Sequence, residues 1–430
     1  MILVYFFIIL FFIWYAKKNF AKSLILFAAV YHLFNSGMAI RYQPPAITVN
    51  LVLILFFVII YYFKYRQKYQ SFEEPFFKRP FIWMIISIIV SIGVALLDGN
   101  ISALTMGIRM ILSEYVFILI FWNVCKTRQD LYFFTKCILI VFCIVFSYGI
   151  FEYMTNSNPI LEIIYAHIPS EYADDKLYIS DLGDINRGGR ARFQSLFYIT
   201  ILYGVCSILF AFYIITVFKM QKEFILKKKY LLLLLILSLF ACYLCNSKTP
   251  VIAIPIIFLP YLLKNKFSIF TLIVLIIFIN PDFFNSFLGN IIDLDSLNVN
   301  NDVSDGSSAA MRIRQLNIAI NAFMNAPVCG NGLKYSSYLS STVAGAELLG
   351  AESCWFKLLI EQGTFGLIAF VYIICVFLKK GYEISKYEGK ILLFFALGFF
   401  VIVSITDIGY SLFYVLFIAM YKILKNKNAN

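Results

Sequence analysis

Phe81-Ile-Trp-Met-Ile-Ile-Ser-Ile-Ile-Val-Ser-Ile-Gly-Val-Ala-Leu-Leu97 carries no charge and lies between Lys78-Arg79-Pro80 and Asp98. At 1.5 Å per helical residue such a run covers most of the roughly 30 Å of hydrocarbon in a bilayer. Comparable runs recur along the chain. They fall at Met1–Ala16, Ser23–Ile40, Ile47–Phe63, Leu104–Val124, Phe133–Tyr153, Leu196–Phe218, Tyr230–Cys245, Pro250–Leu263, Phe267–Ile279, Gly363–Leu378, Ile391–Thr406 and Ile408–Tyr421. The first run begins apolar and ends in Trp14-Tyr15 before Lys17-Lys18, the opposite of a signal peptide, so it reads as a short first span.

Composition agrees with this reading. The 430 residues are 61% hydrophobic and 14% charged, with 46 Phe and 29 Tyr. Soluble domains hold about 45–50% apolar and about 25% charged residues. A soluble globular enzyme, a disordered chain and a secreted disulfide scaffold are therefore excluded. The expectation is an all-α polytopic membrane protein of about 12–13 transmembrane helices, with residues 1–430 forming a single integral membrane domain.

The net charge of +12 is not spread evenly. Segments 17–22, 64–79, 126–136, 219–229, 264–266, 379–390 and 422–427 are all basic and together carry +19, leaving −7 for the rest. Alternate connections are thus basic. That pattern predicts an outside N-terminus and a cytoplasmic C-terminus by the positive-inside rule, and it argues against nucleic acid as a partner. Nine scattered cysteines and two histidines, His32 and His167, form no metal-ligand pattern, so no metal and no cofactor are expected. Cys329 and Cys354 both fall outside the membrane, where a disulfide between them is open.

Two outside connections are long, residues 154–195 and 280–362, and long loops are commonly functional. The first ends in Arg187-Gly-Gly-Arg190-Ala-Arg192-Phe-Gln-Ser195, directly before a span. Arginine forks donate paired hydrogen bonds to phosphate and keep their charge, so this cluster reads as an anion site or as an exposed basic patch. The second loop holds Ser307 to Pro327, an amphipathic helix with Leu316, Ala319, Ile320 and Phe323 on its apolar face. Arg312 falls on that face, where it needs an anion or a carboxylate. Arg314 aligns with Asn317, Asn321 and Asn325 on the wet face.

Further on, Glu352, Trp355, Phe356 and Leu359 share a second helical face, and Gly363 is expected to break this interfacial helix. Lys357 and Glu361 are four apart and are expected to pair on the surface. Arg109 and Glu114 lie inside a predicted span, which makes them functional candidates. Five residues apart on an α-helix, they should face different directions. Lys248, in the outside turn Asn246-Ser-Lys248-Thr-Pro250, either snorkels to the interface or meets a ligand. Asp407 marks a hairpin turn. Gly330-Asn-Gly332 lacks the strand and helix of a phosphate loop. Trp14, Trp83, Trp122 and Trp355 fall near run ends, as interfacial belts do.

Taken in order, these motifs resemble the O-antigen polymerase/ligase superfamily, and among its members the Wzy-type O-antigen polymerases. Arg312, Pro327-Val-Cys-Gly330-Asn-Gly332, then Trp355, Phe356, Leu358, Leu359, Glu361, Gly363 and Gly366 match the family's arginine, its P-x-x-G-x-G and its later E-x-G-x-x-G pattern. Arg190-Ala-Arg192-Phe-Gln-Ser is similar to its R-x-x-G-x-F stretch, and Asn246-Ser-Lys248-Thr to its S-R-[TG] turn. The ligases that decorate lipid A core carry His-Asn where this chain has Glu352-Ser353, which favours a polymerase.

The resemblance implies a GT-C-like scaffold in the bacterial inner membrane. It also implies metal-independent, inverting glycosyl transfer on the periplasmic face between undecaprenyl-diphosphate-linked glycans, with a chain-length regulator and a flippase as partners. In that setting Arg192, Arg190 and Arg312 would neutralise the leaving diphosphate. Glu352 would act as base, with Asp184 as the other candidate. Arg187, Arg314, Lys248 and Arg109 would hold glycan or diphosphate. Two alternatives stand beside it. One is a ligase of the same superfamily. The other is a lipid-linked oligosaccharide transporter, for which Arg109 within a span is the argument.

Overall fold

The protein was analysed as a computed structural model, which describes residues 2–34, 38–41, 46–69, 73–168, 186–187, 190–219, 227–262, 309–342, 348, 353–385 and 390–428. Helices dominate. In chain order they are α1 Ile2–Lys18, α2 Phe20–Val30, α3 Val49–Tyr69, α4 Lys78–Leu97, α5 Ser102–Val124, α6 Arg128–Thr155, α7 Pro159–Ala166 and α8 Thr200–Lys219. There follow α9 Lys228–Leu244, α10 Lys248–Leu262, α11 Ala309–Asn325, α12 Tyr335–Ser340, α13 Cys354–Ser385, α14 Ile391–Ile405 and α15 Tyr410–Asn428. Among the described residues there are also two short antiparallel pairs, β1 Ala39–Arg41 with β2 Ile47–Thr48, and β3 Asn186–Arg187 with β4 Arg190–Ala191.

Among the described residues, α3, α4, α5, α6, α8 and α13 are long and apolar enough to cross a membrane. The chain is an all-α polytopic membrane protein. Eleven of the thirteen expected runs coincide with a helix, and a twelfth, Ser23–Ile40, does so only in part. The remaining run, Phe267–Ile279, lies outside the described residues. The expected span Ser23–Ile40 is corrected. Its α-helix stops at Val30, a turn of 3₁₀-helix follows, and Ala39–Arg41 pairs as a strand.

Local chemistry sets several boundaries. Thr127 and Asp130 form a reciprocal capping box that starts α6, and Asn156 ends it in the left-handed conformation. Asn19 caps α2 and Thr48 caps α3. The helix α8 is apolar all round and almost wholly enclosed, so it sits inside the bundle rather than against lipid. It packs on α9, α10, α14 and α15. Phe377 anchors the core beside Phe77, Phe81, Phe413, Tyr414 and Phe417. Trp122 belongs to this core rather than to an interfacial belt. It is buried against Phe76, Phe77 and Tyr421, with the Lys422 ammonium 4.4 Å from its ring.

Gly363 breaks α13, with φ 61° and ψ −154°. The consequence is large. Trp355 and Phe370 are fifteen residues apart, which would separate them by about 22 Å along a straight helix, yet their ring centroids are 5.4 Å apart. The segment before Gly363 therefore folds back as a separate short helix.

The break frees backbone groups, and the strap from Pro327 to Leu333 satisfies them. Thr364 N–H donates to Pro327 C=O at 2.8 Å, and Phe365 N–H to Val328 C=O at 3.1 Å. Asn331 donates its backbone N–H to Ile360 C=O at 2.9 Å, and its amide to Ala322 C=O and Ile360 C=O at 2.8 and 3.1 Å. The two segments touch so closely that a Cβ on Gly330 would run into the Glu361 and Gln362 backbone. Gly330-Asn-Gly332 is thus a structural joint, at positive φ for both glycines.

Candidate functional site

Four sequence-distant segments meet at one end of the bundle. The stretch after Arg192 is tied to the end of α9 by Phe193 N–H donating to Leu244 C=O at 3.0 Å. The start of α10 meets the α14–α15 turn through the Thr249 and Thr406 hydroxyls, 3.0 Å apart. The start of α13 meets the end of α14. There the Ser353 hydroxyl donates to Ser404 C=O, and the Trp355 indole N–H to the Ser404 hydroxyl, each at 2.7 Å. Each element leaves the membrane-spanning bundle at this end, so its polar terminus collects there.

Beside the start of α13 and the α14–α15 turn lies a cavity of about 320 Å³. Arg109, Ser113 and Glu114 of α5, Lys357 and Gln362 of α13, and Asp407 and Tyr410 after α14 line it, with Tyr31 and Tyr198. The wall therefore holds two cations, two carboxylates and four phenols, Tyr115 being the fourth. Lys357 Nζ pairs with Asp407 Oδ2 at 2.9 Å, and the Tyr410 hydroxyl donates to Asp407 Oδ1 at 2.7 Å. Gln362 Oε1 accepts from the Ser87 hydroxyl at 2.7 Å. The Tyr198 wall is steadied from α7, where the Tyr165 hydroxyl donates to Tyr198 C=O at 3.4 Å. Burial pushes the Tyr165 phenol up to about 12, so it remains a donor.

Two expectations about this region are corrected. Lys357 and Glu361 do not form a surface pair. Lys357 turns to Asp407, and Glu361 is buried with the Ser336 hydroxyl donating to its carboxylate. Arg109 and Glu114 do not face apart. Residues Ile111–Val116 form a π-helical turn, and its i→i+5 hydrogen bonds bring positions five apart toward one face. Both side chains consequently line the same cavity.

The arginine-rich segments surround the site less directly. Neither Arg192 nor Arg312 lines the cavity. Arg187 and Arg190 contribute paired backbone in the β3–β4 hairpin. Lys248 opens α10. Arg312 Nη1 donates to Gln315 Oε1 at 3.0 Å, and the buried Gln315 amide donates to Leu348 C=O at 3.2 Å. Gln315, Ala319 and Ala322 form the buried face of α11, which packs on α13. The expected apolar face was displaced by one step, since Leu316 and Ile320 are exposed. Arg314 sits on the other side of the helix with the exposed Asn317, Asn321 and Asn325. Glu352 and Asp184 lie outside the described residues. Cys329 and Cys354 are free thiols.

Sequence reading passed over Glu152. This buried carboxylate accepts from the backbone N–H groups of Ser195 and Gln194 at 2.6 and 3.2 Å, and from the Asn158 amide at 2.9 Å. Asn158 also donates to Ser195 C=O at 2.8 Å. Together they fix the backbone just after Arg192, with Ser195 at φ 54°. The signal in the sequence is an acid one residue before the end of the apolar run Phe133–Tyr153.

A family model described as O-antigen ligase matches residues 233–371. That stretch contains α10, α11, the glycine strap, Lys357 and the Gly363 break. Over that stretch, about a third of the chain, it is similar to the O-antigen polymerase/ligase superfamily. No curated protein matches the chain.

Proposed function

We propose that this chain belongs to the O-antigen polymerase/ligase superfamily and is a glycosyltransferase that joins oligosaccharide repeat units carried on undecaprenyl diphosphate. The reaction proceeds on the periplasmic side of the bacterial inner membrane, with a GT-C-like division into scaffold and outer-face site. The observation that carries this reading is the cavity lined by Arg109, Lys357, Glu114 and Asp407 where the polar ends of the bundle converge.

The chemistry follows from the charges. The acceptor hydroxyl attacks the anomeric carbon of the donor, the bond from that carbon to the diphosphate oxygen breaks, and the lipid diphosphate departs with the electron pair. Fixed cations near a low-dielectric lipid surface stabilise the charge that develops there. Arg109 faces the cavity and fills this role within it, while Arg192, Arg190 and Arg312 on the surrounding segments guide the anionic headgroup. Lys357 is partly neutralised by Asp407 and serves to position. The acceptor proton goes to a carboxylate. Glu114 is in the cavity wall, and Glu352 precedes the wall residue Cys354 by two positions.

The test is a gel assay with purified protein and a synthetic undecaprenyl-diphosphate repeat unit in the presence of EDTA. A ladder of products is expected. Arg109→Ala should slow it by about 10²–10³-fold, as loss of one oxyanion donor does. Glu114→Gln and Glu352→Gln separate the two bases, since loss of the general base costs about 10²–10⁴-fold. The match to a family described as O-antigen ligase favours a second reading, transfer of polymer to lipid A core. Product on added lipid A core without a ladder would establish that reading. Neither product, with folded protein and the organism's own repeat unit, would overturn both.

A further inference from the structure

The helix α4 gives a ruler for depth. Its twenty residues span about 30 Å, the thickness of the hydrocarbon. Its cavity-side end is Leu97. Ser91 is six residues below that end, about 9 Å, and Ser87 is ten below, about 15 Å. The fold-back of α13 is bonded at these levels. The Ser91 hydroxyl donates to Glu361 C=O at 2.7 Å, and Ser87 donates to Gln362. The strap between α11 and α12 reaches the same level, since Leu333 N–H donates to Ser91 C=O at 3.2 Å. A Cβ on Gly332 would lie 2.7 Å from the Ala95 nitrogen, so strap and span are in direct contact. The end of α11 and the strap therefore lie at hydrocarbon depth, although both belong to a connection between spans.

Two further observations fit that depth. First, the irregular backbone is hydrogen-bonded as a lipid environment demands. Gly330, Asn331, Leu333, Thr364 and Phe365 all donate their N–H groups to carbonyls. Second, α11 presents an uncovered apolar stripe. Ile313, Leu316, Ile320 and Met324 are exposed along one edge, continued by Val328 in the strap, and Met324 and Val328 are 70% and 67% exposed. The neighbouring edge carries Asn317, Asn321 and Asn325. A helix with an apolar edge beside an amide edge suits the boundary between acyl chains and water. The stripe adjoins a span surface that must itself face lipid, because Phe365 beside the strap packs on Trp83, and Trp83, Ile86 and Ile89 of α4 are exposed apolar residues.

We propose that α11 and the strap Pro327–Leu333 are re-entrant. They dip into the leaflet on the cavity side of the membrane and seat Ile313, Leu316, Ile320, Met324 and Val328 against bilayer acyl chains. The cavity then opens beside a lipid-inserted element rather than beneath a soluble loop. This assignment does not depend on which glycosyl transfer the protein performs.

Photocrosslinking in native membranes tests it. Benzoyl-phenylalanine placed at Met324 should yield lipid adducts by mass spectrometry, as it should at Ile86 on α4. Absence of lipid adducts at Met324 while Ile86 gives them would overturn the proposal, as would a protein adduct in their place. A second measurement needs no substitution. In proteoliposomes treated with hydrogen peroxide, Met324 should stay reduced and should oxidise once the protein is unfolded in detergent. Equal oxidation of Met324 in intact proteoliposomes and in unfolded protein would refute the insertion.

Discussion

Replacing Gly363 by alanine should damage the protein far more than an added methyl group ordinarily does. Gly363 sits at φ 61° and ψ −154°, a region open essentially to glycine alone and costing about 1–3 kcal/mol for another residue. The added Cβ would also meet the Gly330 nitrogen at 2.6 Å and the carbonyl oxygens of Pro327 and Val328 at 2.8 Å. All three are backbone atoms, so no side chain can swing away, and overpacking of this kind costs about 1–3 kcal/mol more. The expected destabilisation is therefore about 2–6 kcal/mol. Gly93→Ala is the matched control, because nothing lies within 4 Å of its Cβ position in α4. There helix propensity favours alanine by about 1 kcal/mol. Both variants would be heated in one detergent at one scan rate, since membrane-protein melting is operational, and followed by the loss of the monodisperse peak in size-exclusion chromatography. Gly363→Ala should melt well below the parent, and Gly93→Ala at or above it. Gly330→Ala should fall with Gly363→Ala, and the double variant should be little worse than either single one, because both break the same joint. If Gly363→Ala melted with Gly93→Ala, the fold-back would not depend on this backbone conformation and the reasoning would fail.

Asp407→Asn removes the counter-charge of Lys357, whose side chain is 25% exposed. Breaking a buried pair costs about 3–5 kcal/mol, and partial exposure moves the expectation to the lower end, read as a lowered melting temperature. The double variant Lys357→Met with Asp407→Leu should regain much of that stability yet not the activity. Recovery of activity as well would remove the pair from the site. Glu152→Gln keeps the shape but turns an amide group toward the backbone N–H donors of Gln194 and Ser195. An unsatisfied buried group costs about 1–3 kcal/mol, and polymer yield should fall further than protein level does, because Arg192 loses its support. Equal yield per folded molecule would make Glu152 purely a packing residue.

The spans were legible because their physics is one-dimensional. A helix in hydrocarbon needs about twenty apolar residues, and runs such as Phe81–Leu97 show that directly in the sequence. The interruption at Gly363 was legible for the same local reason. The interior of the site was not. Reading Arg109 and Glu114 with the period of an α-helix sends them apart, and only the π-turn at Ile111–Val116 reunites them. Lys357 had an acid four residues ahead, the usual surface partner, but its true partner Asp407 is fifty positions away. The fold-back brings them together, and no local spacing encodes it. The face of α11 was misread by one step because its buried side is Gln315, Ala319 and Ala322. Those small and polar residues permit close packing on α13, while the larger Leu316 and Ile320 face outward. In water that ordering would be perverse. At the surface of a bilayer, where lipid solvates large apolar side chains as well as protein does, packing selects small residues for the interface instead.

The same geometry ties the glycine joint to the cavity. Lys357 and Gln362 lie before the break and Phe370 after it, yet all three line one cavity of about 320 Å³. On a straight helix Lys357 and Phe370 would stand about 20 Å apart, more than such a cavity spans. Straightening at Gly363 would carry Lys357 away from Asp407 and remove one wall with its cation. Gly330 and Asn331 hold the bend closed from the strap. The glycines touch no ligand in this arrangement. Their part in any chemistry is to let two backbones approach closely enough that charges from α5, α13 and the α14–α15 turn converge on one space.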